Sequence, residues 1–286
     1  MTGKPAIDVA IVNWNTSAAA IAAAEAYRDS EGIDTTVTIA DNASSPEQRR
    51  LLEDGCPSGV RLELNELNLG YGTAANRALR GGGGKMVCVS NADVLPTPEA
   101  LATLAEATQQ TPMAGMVGPR FGGDTDRYHA KLPGTATMLM RIFIGSFARG
   151  AMPNPEPGEV EEVGQPSGAC FLVKRQVWEQ VGGFDEAFFL WYEDVDLAKR
   201  LYDAGLHNLV VGSAQVRHVG GESFGQVDRK RQQAIRLASV SHYIDKHHSA
   251  ISSLAKPLLG IAGRLRAGGV KVVPTSTAPP SREKLR

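Results

Sequence analysis

The sequence predicts an α/β protein with one large, mostly parallel sheet that is flanked by helices. Two observations predict this class. Short apolar segments alternate with helical segments through the first 121 residues, and the connections between them are short, which is typical of a parallel sheet with helices on both faces. In addition, the apolar segments end in polar residues, and in such sheets ligands bind beyond the carboxyl ends of the strands.

The elements follow from local patterns along the chain. Pro46 near the first turn of its helix and Thr97 before another favour helix starts at those places, as does the cap-forming triplet at 15–17. We expect strands at 7–13, 36–40, 60–64, 85–89, 115–121, 209–211 and 215–218. We expect helices from residue 17 to about 28 and at 46–52, 73–80, 98–109, 193–204 and 227–247.

Composition excludes several classes of function. The formal net charge is -1, so no basic field indicates a nucleic-acid partner. The three cysteines make no disulfide framework. The first 15 residues hold one lysine and an apolar run of only a few residues, which we expect to be too short for a signal peptide, and no apolar stretch approaches about 20 residues. We therefore expect a cytoplasmic protein, with peripheral contact to the inner face of the cell membrane left open.

Two polar positions at predicted strand ends have both a functional and a structural interpretation. Asp41 can accept hydrogen bonds from a nucleotide base or ribose, or it can form an Asx-turn or cap the next helix. Asn91 and Asp93 suit a hard divalent cation that bridges to phosphates, or they are ordinary turn residues. Because Thr97 can cap the helix at 98–109, Asp93 is less needed as a cap.

The segment 166–206 is the candidate catalytic centre. An aromatic cluster at 188–192 leads directly into a helix whose first turn carries three acids, Glu193, Asp194 and Asp196. Acids are common in a first turn because they face the positive end of the helix dipole. Partly dry surroundings also perturb carboxylates for catalysis, so Asp194 is a candidate general base. Asp196 lies four residues before Arg200, and we expect an exposed ion pair.

Familiar nucleotide-binding motifs are absent. The turn after the first strand is Trp14-Asn15-Thr16 and not a Gly-rich loop, which argues against NAD or FAD. The run at 81–84 followed by Lys85 resembles a P-loop only superficially, because Met86 takes the Ser/Thr position and a strand follows. A lone His218 after a short strand is usually structural, and it gains interest only if it lies near Asp93.

Several motifs in order resemble one known family. They are IVNWN (11–15), ADNAS (40–44), NLGYGTAANRAL (68–79), VSNADV (89–94), SGACFLVKR (167–175), VGGFDEAFF (181–189), EDVDLAKRL (193–201) and RHVGGES (217–223). Each motif alone is weak, but their order resembles the inverting GT-A glycosyltransferases of family 2, and most of all the rhamnosyltransferase-like members. The resemblance spans residues 6–247.

The resemblance implies a GT-A fold, with a single Rossmann-like sheet and a C-terminal helical extension. It implies a nucleotide-sugar donor, dTDP-rhamnose by overall resemblance, and Mg²⁺ or Mn²⁺. Asp194 matches the catalytic base with Glu193 as a supporting group, while Asp93 and His218 match metal ligands. The first acid of the metal motif is Asn91 here. Donor contacts are implied for Asn13, Asn15, Asp41, Asn68, Gly70, Asn76, Asn91 and Trp191.

The resemblance also organises the chain. It implies a glycosyltransferase domain at 1–225, with a nucleotide-binding half to about 121 and an acceptor-binding half that begins with a mobile insertion or lid at 122–165. A helical region at 226–270 and a disordered tail at 271–286 follow. The implied acceptor is a glycan, a small molecule or a polyprenyl-linked sugar. Two alternatives are an inactive nucleotide-sugar-binding module and a nucleotidyltransferase, although the latter would need a Gly-rich loop after strand one.

The basic C-terminal part has its own alternatives. It is either a surface for anionic membrane or a polyprenyl-diphosphate acceptor, or a solvated helix that packs on the core or makes a homodimer contact. The residues concerned are Arg229, Lys230, Arg231, Arg236, Lys246, Lys256, Arg264 and Arg266.

Overall fold

In the first half of the chain, residues 61–64, 34–41, 6–13 and 86–91 form four neighbouring parallel strands, in that order across the sheet. A computed structural model describes residues 4–122, 128–134, 137–138, 151–152, 154–218, 229–249 and 252. The strands of this half are β1 (Ala6–Asn13), β2 (Asp34–Asp41), β3 (Arg61–Leu64) and β4 (Met86–Asn91), and the helices between them are α1 (Ser17–Arg28), α2 (Pro46–Gly55) and α3 (Tyr71–Leu79).

Capping in this half differs in part from the expectation. Ser45 caps α2, because its hydroxyl accepts from Gln48 N at 3.4 Å. The start of α1 instead depends on Asn13, whose Oδ1 accepts from Thr16 N at 3.2 Å, and Thr16 makes no side-chain cap. Asn13 is therefore both the last residue of β1 and the residue whose side chain orders the start of α1.

The second half has a different topology. Its elements are β5 (Val94–Pro96), α4 (Ala100–Gln110), β6 (Ala114–Gly122), β7 (His129–Ala130), β8 (Ala151–Met152), β9 (Val160–Glu162), β10 (Cys170–Lys174), α5 (Arg175–Val181), α6 (Glu193–Asp203), β11 (His207–His218) and α7 (Arg229–His247). The sheet continues β4-β10-β6-β11-β5, with β9 on β11. Strand β10 is antiparallel to both β4 and β6.

The α/β class is confirmed, and the sheet is mixed where a mostly parallel one was expected. The parallel order ends at β4, because the strand that follows it in the sheet is β10, which comes some 80 residues later and runs the other way. The predicted strands at 209–211 and 215–218 are one strand, β11, interrupted by a register shift between Val211 and Gln215. Thr97 gives α4 no side-chain cap, and Glu99 occupies the cap position.

Helices cover both faces of the sheet. Alternate residues of β1 enter opposite cores: Ile7, Val9 and Ile11 pack with α1, α2 and α4, while Ala10 and Val12 pack with α3, α5 and α6. This alternation is the period of two that a strand imposes. A third, smaller cluster joins α7 to the segment before α6 through Phe188, Tyr192, Val240, Tyr243 and Ile244.

Some expectations fall outside the described residues, namely part of the insertion at 122–165, the cations Lys256, Arg264 and Arg266, and the tail at 271–286. Within the predicted insertion at 122–165, β9 pairs with β11, and Met138 is buried in the third cluster. Among the helices of the described ranges, none has the length and apolar character needed to cross a membrane.

Candidate functional site

The polar residues that end β1, β2 and β4 lie side by side at one edge of the sheet, as predicted. Asn13 pairs with Asp41 in the β1–β2 register, and Val12 pairs with Asn91 in the β1–β4 register. The sheet therefore presents its carboxyl edge as a row of polar side chains, which is the usual place for a ligand in an open α/β sheet.

Asp41 is fully buried, and its carboxylate is engaged within the protein. It accepts from Asn13 Nδ2 at 2.9 Å, from Ser44 N at 3.1 Å and from Arg49 Nε at 3.1 Å, and it is also bonded by the Ser44 hydroxyl. This differs from the Asx-turn interpretation, because the backbone N–H that Asp41 binds belongs to Ser44, three residues on, whereas an Asx-turn uses the residue two positions on. Whether Asp41 also contacts a nucleotide stays a prediction.

The neighbouring loops are tied to this network. Asn15 has a left-handed backbone, with φ of 56°. Its backbone N–H donates to Ser44 Oγ at 2.8 Å, and its side-chain Oδ1 accepts from Ser45 N at 2.7 Å. Asn13 and Asn15 therefore shape the loops around Asp41. This use of their side chains differs from the direct donor contact that the resemblance implied, and that contact stays a prediction.

The loop before α3 is anchored to the segment before α6. Asn68 Oδ1 accepts from Gly70 N at 3.0 Å and from Asn42 Nδ2 at 2.9 Å. Gly70 has φ of 86°, and a Cβ there would overlap the carbonyl oxygen of Phe189, so only glycine fits. Tyr71 N donates to that same oxygen at 2.9 Å. Asn68 and Gly70 therefore join the first half of the chain to the base-bearing segment.

Asn76 lies apart from the strand ends. Its amide brackets the turn at Phe184, donating to Phe184 O at 2.9 Å and accepting from Phe184 N at 3.0 Å. The structure does not bring it together with the other predicted donor contacts. Its observed role is to hold the turn at 183–186 against α3.

Asp93 and His218 are brought together across 125 residues of sequence. His218 Nε2 lies 3.2 Å from Asp93 Oδ1. Strand β5 places them there, because Val94 pairs with His218 in the antiparallel β5–β11 register. Their side chains are 15% and 18% exposed, respectively. The condition that made His218 interesting in the sequence, nearness to Asp93, is met.

These two residues fit a divalent cation. A carboxylate oxygen and an imidazole nitrogen are ligands that Mn²⁺ and Mg²⁺ accept, and such ions retain open positions for phosphate oxygens. Within the described ranges, no group of three His, Cys, Asp or Glu residues converges as a complete protein cage. The pair therefore suits a cation whose other ligands come from a bound substrate and water.

Asp194 begins α6 in a nearly dry position, with 5% exposure. Its Oδ2 accepts from Gln165 Nε2 at 2.6 Å, and its Oδ1 accepts from Val195 N at 2.8 Å. A Cβ on Gly168 would lie 2.6 Å from Asp194 Oδ2, so the Gly168 turn and the carboxylate fit only because Gly168 has no side chain. The turn at Ser167-Gly168-Ala169 and the predicted base form one unit.

Glu193 is also buried, at 6% exposure, and its charge affects the pKa of the Tyr71 hydroxyl. Burial raises the pKa of the Tyr71 hydroxyl well above its ordinary value, and the nearby Glu193 carboxylate raises this pKa further. The hydroxyl therefore stays protonated and donates to Gly168 O at 3.1 Å.

Sequence analysis missed three residues of this site, Gln165, His129 and Tyr71. Gln165 reaches Asp194 because its backbone forms an isolated bridge with Ala130, with N···O distances of 2.8 and 2.9 Å. His129 accepts from Ser167 N at 3.2 Å through Nδ1, and its Nε2 lies 3.1 Å from Asn154 Oδ1. Only Tyr71 had a signal, its place at the start of a glycine-rich helix turn.

The aromatic cluster divides in two. Phe188 and Tyr192 lie in the core, and the Tyr192 ring packs on Tyr243 with ring centroids 5.3 Å apart. Trp191 is half-buried, and the guanidinium of Arg236 lies over its ring at 4.6 Å. Trp191 therefore lies under a basic side chain of α7.

Asp196 pairs with Arg200 as predicted, at 2.8 Å, but the pair is not exposed. The carboxylate is fully buried, and Lys246 and His247 of α7 lie 2.9 and 2.7 Å from it. Burial acts to raise the pKa of Asp196, but the His247 hydrogen bond and the charges of Arg200 and Lys246 lower it overall. The exposed-pair prediction was wrong because α7 covers this face of α6.

Comparison with known proteins indicates the same family as the sequence motifs. The sequence model of a family described as glycosyltransferase like family 2 matches residues 5–235. The chain is 33% identical over 233 residues to the N-acetylglucosaminyl-diphospho-decaprenol L-rhamnosyltransferase of Mycobacterium tuberculosis, a match that covers 74% of this chain and 75% of the relative.

Solved structures share the fold. A mannosyltransferase of Pyrobaculum calidifontis in complex with GDP-mannose and Mn²⁺ has a TM-score of 0.57 at 18% identity, over 92% of this chain and 70% of that one. A structure of GalNAc-T7 with UDP, GalNAc and Mn²⁺ has a TM-score of 0.52 at 15% identity, over 76% of this chain and 44% of that one. At these identities they show the fold alone, which is the predicted GT-A fold.

His129 predicts a pH dependence of stability. Burial lowers its pKa from the ordinary 6.5 to about 4, although the bond to Asn154 opposes this. Between these values the unfolded chain binds the proton and the folded chain does not, so the free energy of unfolding falls as pH drops from 6.5 to 4. The loss is at most about 3 kcal/mol from this group.

Urea unfolding of the wild type and of His129→Gln at pH 7 and pH 4.5 measures this effect. The variant is expected to be less stable at pH 7 but to lose less stability on acidification. Equal losses in the two proteins would contradict a neutral, buried His129.

The close packing of Gly168 against Asp194 can be tested by adding a methyl group at position 168. Gly168→Ala places a Cβ against Asp194 and is expected to lower the free energy of unfolding by about 1–3 kcal/mol. Gly83→Ala is the matched control, because a Cβ there meets nothing within 4 Å. Urea unfolding of both variants measures the difference, and a Gly168→Ala protein as stable as the control would show that the close packing is not real.

Proposed function

We propose a sugar-transfer reaction from the premise that the chain belongs to glycosyltransferase family 2. The chain is accordingly a glycosyltransferase. The proposed reaction moves L-rhamnose from dTDP-rhamnose to a hydroxyl group of a polyprenyl-diphosphate-linked sugar, with inversion at the anomeric carbon. The similarity to the mycobacterial L-rhamnosyltransferase, which spans three quarters of both chains, supports the choice of sugar and acceptor.

The observation that carries the chemistry is the arrangement of Asp194. A general base must be an ionised carboxylate that is held in place and shielded from bulk water. Gln165 and Val195 N donate to its two oxygens, so the carboxylate is held in one orientation at the start of α6. Asp194 is therefore suited to remove the proton from the acceptor hydroxyl as that oxygen attacks the anomeric carbon.

Asp93 and His218 are the residues that would hold Mg²⁺ or Mn²⁺. When bound, such a cation neutralises the charge of a departing diphosphate. Asp93 and His218 lie at the carboxyl edge of the sheet, beyond Asn91 at the end of β4, and the rigid β5–β11 pairing keeps them there. The Mn²⁺ in both solved neighbours supports this assignment by analogy of fold.

The donor is proposed to lie along the row formed by Asn13, Asp41 and Asn91. Its internal hydrogen bonds leave this edge pre-organised, which lowers the entropy lost on binding. The acceptor is proposed to approach from the side of Trp191, three residues before the base. An acceptor on a lipid would place the reaction at the inner face of the cytoplasmic membrane.

Only some basic residues of the C-terminal region are available for the proposed contact with the membrane. Lys246 is engaged by Asp185 and Asp196, and Arg236 lies over Trp191. These two cations therefore support the alternative in which the helix packs on the core. Arg229, Lys230 and Arg231 at the start of α7 are exposed and would carry any contact with anionic lipid.

Asp194→Asn tests the proposed base. The variant keeps the shape of the side chain but removes its basicity, so turnover is expected to fall about 10²–10⁴-fold with little change in donor binding. The measurement is rhamnosyl transfer together with calorimetric titration of dTDP-rhamnose. Asp203→Asn is the matched control, since Asp203 is on the same helix and, within the described residues, pairs with Lys199 at the surface. Unchanged turnover in Asp194→Asn would contradict the assignment of Asp194 as the general base.

Asp93→Asn tests the proposed metal site. It removes one negative charge from the pair with His218, and donor binding is expected to lose most of its dependence on Mn²⁺. Calorimetry with dTDP-, UDP- and GDP-sugars, with and without Mn²⁺, measures both the loss and the preferred donor. Asp54→Asn, at an exposed position of α2, is the control. The same Mn²⁺ enhancement in Asp93→Asn and in the control would rule out Asp93 as a ligand.

A further inference from the structure

We propose that helix α7 is a positioning element of the catalytic site, which holds the left-handed turn at Leu190–Tyr192 so that Asp194 is correctly placed. Ser239, Tyr243 and Arg236 are the positioning residues. This inference rests on the proposed function, because it takes Asp194 as the base. None of the three residues touches the reacting atoms in this account; each acts through the turn.

The turn needs external support because its backbone is unfavourable. Trp191 and Tyr192 have φ of 65° and 72°, and two consecutive bulky residues in the left-handed region are rare and costly. Tyr192 is also the N-cap of α6 and makes no side-chain cap. A conformation of this kind persists only when surrounding contacts over-determine it.

Helix α7 supplies those contacts to three successive residues. Ser239 Oγ donates to Leu190 O at 2.8 Å. The guanidinium of Arg236 covers the Trp191 ring at 4.6 Å, and the Tyr243 ring packs on Tyr192 at 5.3 Å. Residues 236, 239 and 243 share one face of a helix, so α7 presents a single surface to the turn.

Charged contacts fasten α7 on both sides of the turn. Before it, Asp185 lies 3.1 Å from His242 and 2.6 Å from Lys246. These bonds lower the pKa of Asp185, and the His242 bond contributes most. After the turn, the buried Asp196 meets Lys246 and His247. Acids of the catalytic segment thus face Lys246 and two histidines of α7, and hydrogen bonds that involve a charged group are stronger than neutral ones.

The placement of Asp194 follows from this arrangement. Asp194 lies two residues after Tyr192, so a change in the turn moves its carboxylate relative to Gln165 and Gly168. Helix α7 contacts Asp185 and Asp196 on either side of the turn. Between these two anchors it also contacts each of the three residues that immediately precede the first turn of α6.

The test compares three serine variants of the full chain. Ser239→Ala removes the hydroxyl that donates to Leu190 O. Ser241→Ala is the matched control, because it removes the same group from the same helix on a different face. Ser239→Thr, which retains a hydroxyl, is the rescue variant. For each protein we would measure kcat, the KM for donor, and amide hydrogen exchange over residues 189–196.

Ser239→Ala is expected to lower kcat roughly 5-fold to 10-fold, with the KM for donor unchanged. Exchange over 189–196 should rise while exchange over α2 stays the same, and Ser239→Thr should recover most of the activity. Arg236→Gln, at a partly exposed position, provides a second variant that is expected to fold and to lower kcat in the same way.

Equal kcat and equal exchange in Ser239→Ala, Arg236→Gln and the Ser241→Ala control would overturn the proposal. A parallel fall in activity and in exchange protection throughout the chain would also overturn it, because that result indicates general loss of stability. If the wild type transfers no sugar, the proposed function fails, and the exchange over 189–196 still decides whether α7 holds the turn.

Discussion

The contact between Gly168 and the carboxylate of Asp194 is the constraint on which the rest of the site depends. The turn that contains Gly168 bonds in several directions: Ala169 O accepts from Asn91 N at 2.8 Å, Tyr71 donates to Gly168 O, and Ser167 N donates to His129. The base, the strand end beside the proposed metal pair and the start of α3 are therefore all positioned relative to one small turn. Any side chain at Gly168 would separate them.

The two halves of the sheet contribute different things to the site. The parallel half ends in a row of buried polar groups that satisfy one another, such as Asn13 with Asp41, and buried groups of this kind are stable because their hydrogen bonds are made within the protein. The mixed half provides the reactive groups. Strand β10 inserts antiparallel beside β4, and this brings the Gly168 turn, which immediately precedes β10, to the carboxyl edge of the parallel strands.

Much of this arrangement could be predicted from the sequence. Apolar runs and strand-end polar residues locate β1, β2 and β4, because a buried parallel strand leaves a continuous local signal. The nearness of His218 to Asp93 was expected only through the family resemblance. The antiparallel insertion of β10 could not be predicted, since a short apolar segment does not specify its partner. Gln165 gave no signal either, because its role depends on a bridge to Ala130 that is set by the tertiary fold.

Asp196 illustrates the same limit at a single residue. Spacing four residues before Arg200 predicts the ion pair correctly but says nothing about what covers it, and α7 buries it with Lys246 and His247. The most direct test of the whole account is the reaction itself. Wild-type protein, dTDP-rhamnose, Mn²⁺ and a polyprenyl-diphosphate-linked N-acetylglucosamine would be incubated together, with the product analysed by mass spectrometry and NMR. The account predicts one added deoxyhexose with an anomeric configuration opposite to that of the donor; no added sugar, or retained configuration, would contradict it.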